Sequence, residues 1–145
     1  LGRRLRSDFR HVEPQGTRFV ANFELTPLPA EGSGRLRVAV RDLEPCGPDV
    51  PPGSGLLKEL RAGFYRTDLF LNDQPIGDLN SRLTWKSSAG VGQDVIIDLP
   101  RSALKAGNNR LRCEQRPGPG GIEFDEVEVG PISLELIQPE PGVEE

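Results

Sequence analysis

The chain has 145 residues, 18 basic and 22 acidic side chains and a formal net charge of −4, a size that suits one domain with a single core. Its 17 Gly and 14 Pro are many but fall short of a low-complexity composition, and no apolar run reaches the roughly 18 residues of a membrane helix. One His and two Cys leave little material for nucleophilic or zinc chemistry, so a membrane span, a coiled coil and a catalytic domain are all set aside.

Residues 1–17 read as a solvated lead-in arm carrying Arg3, Arg4, Arg6, Arg10 and the lone His11, which has no matching nucleophile. The chain starts at Leu1 and contains no Met, as expected of a chain that has lost a leader or of a domain cut from a longer protein. No signal-peptide core is present. Residues 18–137 carry the domain. Apolar side chains recur at every second position in Arg18–Leu25 (Phe19, Ala21, Phe23, Leu25) and in Arg35–Leu43 (Leu36, Val38, Val40). This period predicts strands with one dry and one wet face. Leu56–Ala62 is the longer of two helical candidates, about two turns long and closed by Gly63. Asp68–Leu71 runs into the turn-rich Asn72-Asp73-Gln74-Pro75 and on to Ile76, a hairpin signature. Gln74–Lys86 is treated as one long bent strand that includes Arg82–Lys86. Further strands are predicted over Asp94–Leu99, Arg110–Gln115, Ile122–Val129 and Ile132–Leu136, with a single helical turn at Ser102–Ala106. Residues 138–145 form an acidic, Pro-rich tail or linker. Beyond Arg116 there are eight acids and no base, which disfavours nucleic acid as a partner.

About eight short strands with Gly/Pro-rich turns and one short helix predict an all-β antiparallel sandwich. If consecutive strands alternate in direction, the connections Glu44–Phe64, Ser87–Gly92 and Arg116–Gly121 emerge at one end, where such folds keep binding sites. That end is expected to have flexible backbone and little apolar surface, and hence to bind weakly, in the micromolar to millimolar range.

Three stretches resemble the galactose-binding-domain-like family of jelly rolls, which includes many carbohydrate-binding modules. They are Thr67–Gly77, with its strand, tight turn and short return; Val95–Pro100 followed by Leu104–Leu111, with the Gly107-Asn108-Asn109 turn; and the closing Ile132–Leu136. Asp73 stands where that family often has Gly, and the long Glu44–Phe64 segment has no counterpart. The resemblance implies a jelly-roll topology, a non-catalytic module attached to a larger protein and a carbohydrate ligand. It also raises a structural Ca²⁺, although no acidic loop with ligand spacing is present and no other cofactor is expected.

Sugar recognition needs an aromatic face and planar polar groups for neighbouring hydroxyls. Tyr65, at a strand start beside the long loop, is the stacking candidate, and its loss is expected to spare stability. Arg66 and Asp68, two apart on one face, could take hydroxyls or form a surface ion pair. Asn80 reads as a ligand contact or a turn residue. Trp85 shares parity with Leu83, which suits the core, and contributes to binding only if exposed. Asp125 and Glu126, adjacent in a predicted strand, face opposite sides and cannot flank one glycosidic bond. Cys46 and Cys113 are a disulfide candidate that goes with an extracellular or cell-surface location, the alternative being two buried thiols in a reducing compartment. The expected function is therefore binding, of carbohydrate or of a neighbouring protein domain, without catalysis.

Overall fold

The computed structural model describes residues 16–26, 28, 32–85, 92–125 and 127–137. The arm residues Arg3, Arg4, Arg6, Arg10 and His11, the tail 138–145, Lys86, residues 87–91 and Glu126 lie outside the described residues.

Among the described residues the alternating segments become seven strands: β1 (Arg18–Leu25), β2 (Ser33–Arg41), β3 (Thr67–Leu71), β4 (Gln74–Asp78), β5 (Gln93–Leu99), β6 (Gly107–Gln115) and β7 (Glu128–Ile137). They form two antiparallel sheets, ordered β1-β6-β3-β4 and β5-β2-β7. Side chains of both sheets meet in one core. Leu36, Val38 and Val40 of β2 and Val95, Ile97 and Leu99 of β5 join Leu69 and Leu71 of β3 and Leu111 and Cys113 of β6. The predicted all-β architecture, a two-sheet sandwich with one short helix, is thus what the chain adopts. Burial is deepest in β2, β3, β5 and β6, while the equally regular β1 has no fully buried residue, and truncating one of these leucines to Ala should cost about 2–5 kcal/mol.

Three predicted segments differ from the observed ones. Of the predicted Arg82–Lys86 strand, residues 82–85 lie in no strand: β4 ends at Asp78, and Asn80–Arg82 winds into a 3-10 turn whose polar side chains take over the local bonding. The segments Ile122–Val129 and Ile132–Leu136 do not form two strands. Residues 122–125 lie outside any strand, and β7 runs unbroken through Gly130 and Pro131. The ladder tolerates that proline because its register with β2 shifts between Val38 and Val40, a bulge on an edge strand where a missing N–H costs nothing. Finally, Cys46 and Cys113 are both free and buried, so the candidate disulfide is not formed. Cys113 belongs to the main core, whereas Cys46 packs with Val50, Leu57 and Leu60 in a separate cluster. Burial pushes the Cys113 thiol up to about 12 and also raises that of Cys46.

Local chemistry explains the connections. Asn72 and Asp73 sit at φ +50° and +66°, the left-handed pair of a two-residue hairpin turn. The helix α1 (Leu57–Arg61) closes with Gly63 at φ +98°; the Gly63 N–H donates to the Leu60 carbonyl and the Phe64 N–H to that of Glu59. Antiparallel pairing then fixes the layout. The connections 42–66, 79–92 and 116–127 all join strands at one end of the sandwich. Strand β1 starts at that loop end, and β7 finishes at the opposite one.

Candidate functional site

The described parts of the three loops at this end are bound to one another. Asn80 is the central tie. Its side chain is fully buried, with Oδ1 accepting the Thr67 N–H at 2.8 Å and Nδ2 donating to the Glu44 carbonyl at 2.9 Å. Its own carbonyl accepts the Cys46 N–H at 3.2 Å. One amide thus joins the start of β3, the segment after β2 and the 3-10 turn after β4. No part of it is left for a ligand.

Arg66 and Asp68 do not pair with each other. Arg66 donates from Nε to the Leu60 carbonyl at 2.7 Å, holding the C-terminal end of α1, and lies 3.5 Å from Asp78. Asp68 accepts two bonds from Arg116, at 2.6 Å from Nε and 2.8 Å from Nη2, while Nη1 of Arg116 donates to the Gly63 carbonyl at 3.2 Å. This fork fastens the third loop to β3 and to the turn after α1, and the bond to Asp68 raises the already high pKa of Arg116.

Tyr65 takes a left-handed backbone, φ +61°, unusual for an aromatic residue. Its N–H donates to the Pro117 carbonyl at 3.3 Å, and its ring lies so close over Gly118 that a Cβ there would overlap the phenol. The ring also packs against the Cys46 cluster, and its hydroxyl reaches Glu123 Oε2 at 3.5 Å. Burial, and then the Glu123 carboxylate, raises the phenol pKa. Tyr65 is therefore a packed strut, and a ring placed in this way is expected to contribute to stability.

Trp85 is placed differently. It shares parity with Leu83, but only Leu83 is buried; Trp85 is 40% exposed, with its N–H donating to Asp49 Oδ2 at 2.8 Å. Neighbouring Thr84 is held by Gln93, whose Oε1 accepts the Thr84 N–H at 3.1 Å and whose Nε2 donates to the Thr84 carbonyl at 2.9 Å. Asp125 lies outside any strand, so strand alternation does not set the side it faces. Among the described residues no group of three or more His, Cys, Asp or Glu side chains could hold a metal ion.

Sequence reasoning missed the apolar surface of this end. Phe64, Trp85, Ile122 and Phe124 are all exposed, Ile122 at 83%. Phe64 precedes Tyr65, and Ile122 and Phe124 flank Glu123, so the Tyr65–Glu123 contact draws three of the four into one neighbourhood. The signal was two isolated large apolar residues in the otherwise Gly/Pro-rich Pro117–Phe124 stretch. The expectation of little apolar surface is replaced: the described parts of these loops, tied to one another by hydrogen bonds, display large hydrophobic groups. Set against known families and curated proteins, the chain matches no family model and no curated protein.

Proposed function

We propose that the chain is a non-catalytic binding module of the jelly-roll kind that docks a protein partner through its loop end. The observation that carries this reading is the division of labour there. The polar groups suited to sugar hydroxyls, in Arg66, Asp68 and Asn80, are spent holding loops together, while Phe64, Ile122 and Phe124 stand exposed on tied backbone. Large apolar side chains presented by a pre-organised backbone, rimmed by Glu123 and Arg116, are the raw material of a protein-binding patch. The partner is a neighbouring domain or a separate chain with a complementary apolar face.

A second reading keeps the carbohydrate ligand and rests on Trp85, whose exposed indole beside the fixed Asp49 contact could stack on a pyranose. Affinity capture from the native source, wild type against Ile122→Asp, separates the two when run beside a glycan array. The protein reading expects a captured partner that Ile122→Asp loses, with an unchanged melting temperature. Glycan binding that Trp85→Ala abolishes and Ile122→Asp spares would overturn it in favour of the second reading.

A further inference from the structure

We propose that the chain self-associates through β1, whose outer edge pairs antiparallel with the β1 edge of a second copy across a two-fold axis at Ala21. Among the described strands β1 is one edge of the four-stranded sheet, paired only with β6. Edges of this kind invite further strands unless they are short, bulged or interrupted by Pro or Lys. Strand β1, Arg18-Phe19-Val20-Ala21-Asn22-Phe23-Glu24-Leu25, has eight residues, no Pro, Gly or Lys, and an unbroken register with β6.

Hydrogen-bond parity limits how two such edges can meet. The Gln115 N–H donates to the Thr17 carbonyl at 2.9 Å, so Thr17 and the odd-numbered residues after it turn their N–H and C=O groups toward β6. Arg18, Val20, Asn22 and Glu24 turn theirs outward. A partner strand must oppose even residues to even residues. Of the registers that do so near the middle of the strand, the one centred on Ala21 sets Arg18 opposite the partner's Glu24 and Val20 opposite the partner's Asn22. On the inner face it sets Phe19 opposite the partner's Phe23. Shifting the centre to Val20 or Asn22 breaks both the charge pair and the aromatic pair.

The side chains suit that register. Phe19 faces inward beside Cys113 yet is 40% exposed, because the sheet ends there, whereas Phe23 and Leu25 on the same face already pack on the core. A partner's Phe23 would cover Phe19 at a non-hydrogen-bonded position, where side chains approach most closely. On the outer face Arg18 lies 3.5 Å from Glu114 as a half-exposed pair, and among the described residues Glu24 meets only the Thr26 hydroxyl, at 3.4 Å, so both remain within reach of a partner. About eight new backbone bonds would join two four-stranded sheets into one of eight strands.

The test is sedimentation velocity of the full chain over a range of concentrations. The expected result is a reversible dimer, and a wild-type protein that stays monomeric up to about 1 mM overturns the proposal. Val20→Pro removes an outward N–H that β6 does not use, so it should give a monomer with an unaltered β-rich circular dichroism spectrum. Arg18→Glu should weaken association at least about tenfold and Arg18→Glu with Glu24→Arg should restore it, because only this register juxtaposes the two. A dimer that ignores both changes overturns the β1 interface. Should Val20→Pro fail to fold, Ala21→Cys decides the matter. Oxidised glutathione should cross-link it to a covalent dimer across the axis, and failure to cross-link also overturns the register.

Discussion

The Tyr65 ring fills the space that a side chain on Gly118 would need. One residue is in a strained left-handed conformation and the other lacks a Cβ, and each makes sense only beside its partner. Gly118→Ala should therefore expel the ring and lower unfolding stability by about 1–3 kcal/mol in urea titration. Tyr65→Ala should destabilise as well, by removing a ring that packs on the Cys46 cluster. A melting temperature unchanged in both variants would show that the strut contributes nothing.

Asn80→Ala should be among the more damaging polar substitutions in the chain. It leaves the Thr67 N–H and the Glu44 carbonyl without their amide partner at a buried site, a loss of about 1–3 kcal/mol for each stranded group. Hydrogen exchange should show the Thr67 amide losing protection selectively. Equal protection in the variant and the wild type would mean that the tie is dispensable.

Arg116→Lys keeps the charge but cannot reproduce the two-pronged bond to Asp68 together with the bond to Gly63. Stability should fall by about 1 kcal/mol, because the pair is partly exposed and solvent weakens it. That difference should persist in 1 M salt, which screens the charge that Arg and Lys share and leaves the bond geometry untouched. The alternative outcome, full stability in Arg116→Lys, would mean that charge and not geometry fastens the third loop.

The thiols give a pH signature. The folded protein holds the Cys113 proton to higher pH than the unfolded chain, about 12 against 9.0, because burial disfavours the thiolate. Its stabilising contribution is complete below the unfolded value and is lost as pH climbs from about 9 toward about 12, at about 1.4 kcal/mol per pH unit. Cys113→Val should flatten that part of the stability profile. At pH 8, a thiol reagent should find both cysteines only after denaturant is added; rapid labelling of the native protein would contradict their burial.

The core was legible because its signal is simple: Leu36, Val38 and Val40 alternate, and all three are buried. Asn72 and Asp73 announced their hairpin through side chains that tolerate left-handed backbone. The stretch after Asn80 misled because Leu83 and Trp85 alternate like strand residues while side chains make the bonds that a neighbouring strand would have made: Asp49 accepts from Trp85 and Gln93 from Thr84. The Gly130-Pro131 pair looked like a break because composition does not reveal that β7 lies at a sheet edge. At the loop end Arg66, Asp68 and Asn80 are residue types that could bind a ligand or bind the fold. Their partners, Leu60, Arg116, Thr67 and Glu44, lie in other segments, and only the folded chain brings them together.

Because β1 starts at the loop end and β7 finishes at the other, a pull on residues 18 and 137 would run parallel to the strands. Each terminal strand would be drawn along its own axis, β1 past β6 and β7 past β2, so that the backbone bonds of a ladder bear the load together and do not open one after another. Set in series between two anchored neighbours, the module would carry tension as a shear joint, and single-molecule stretching would show it yielding at higher force than a domain whose end strands peel apart.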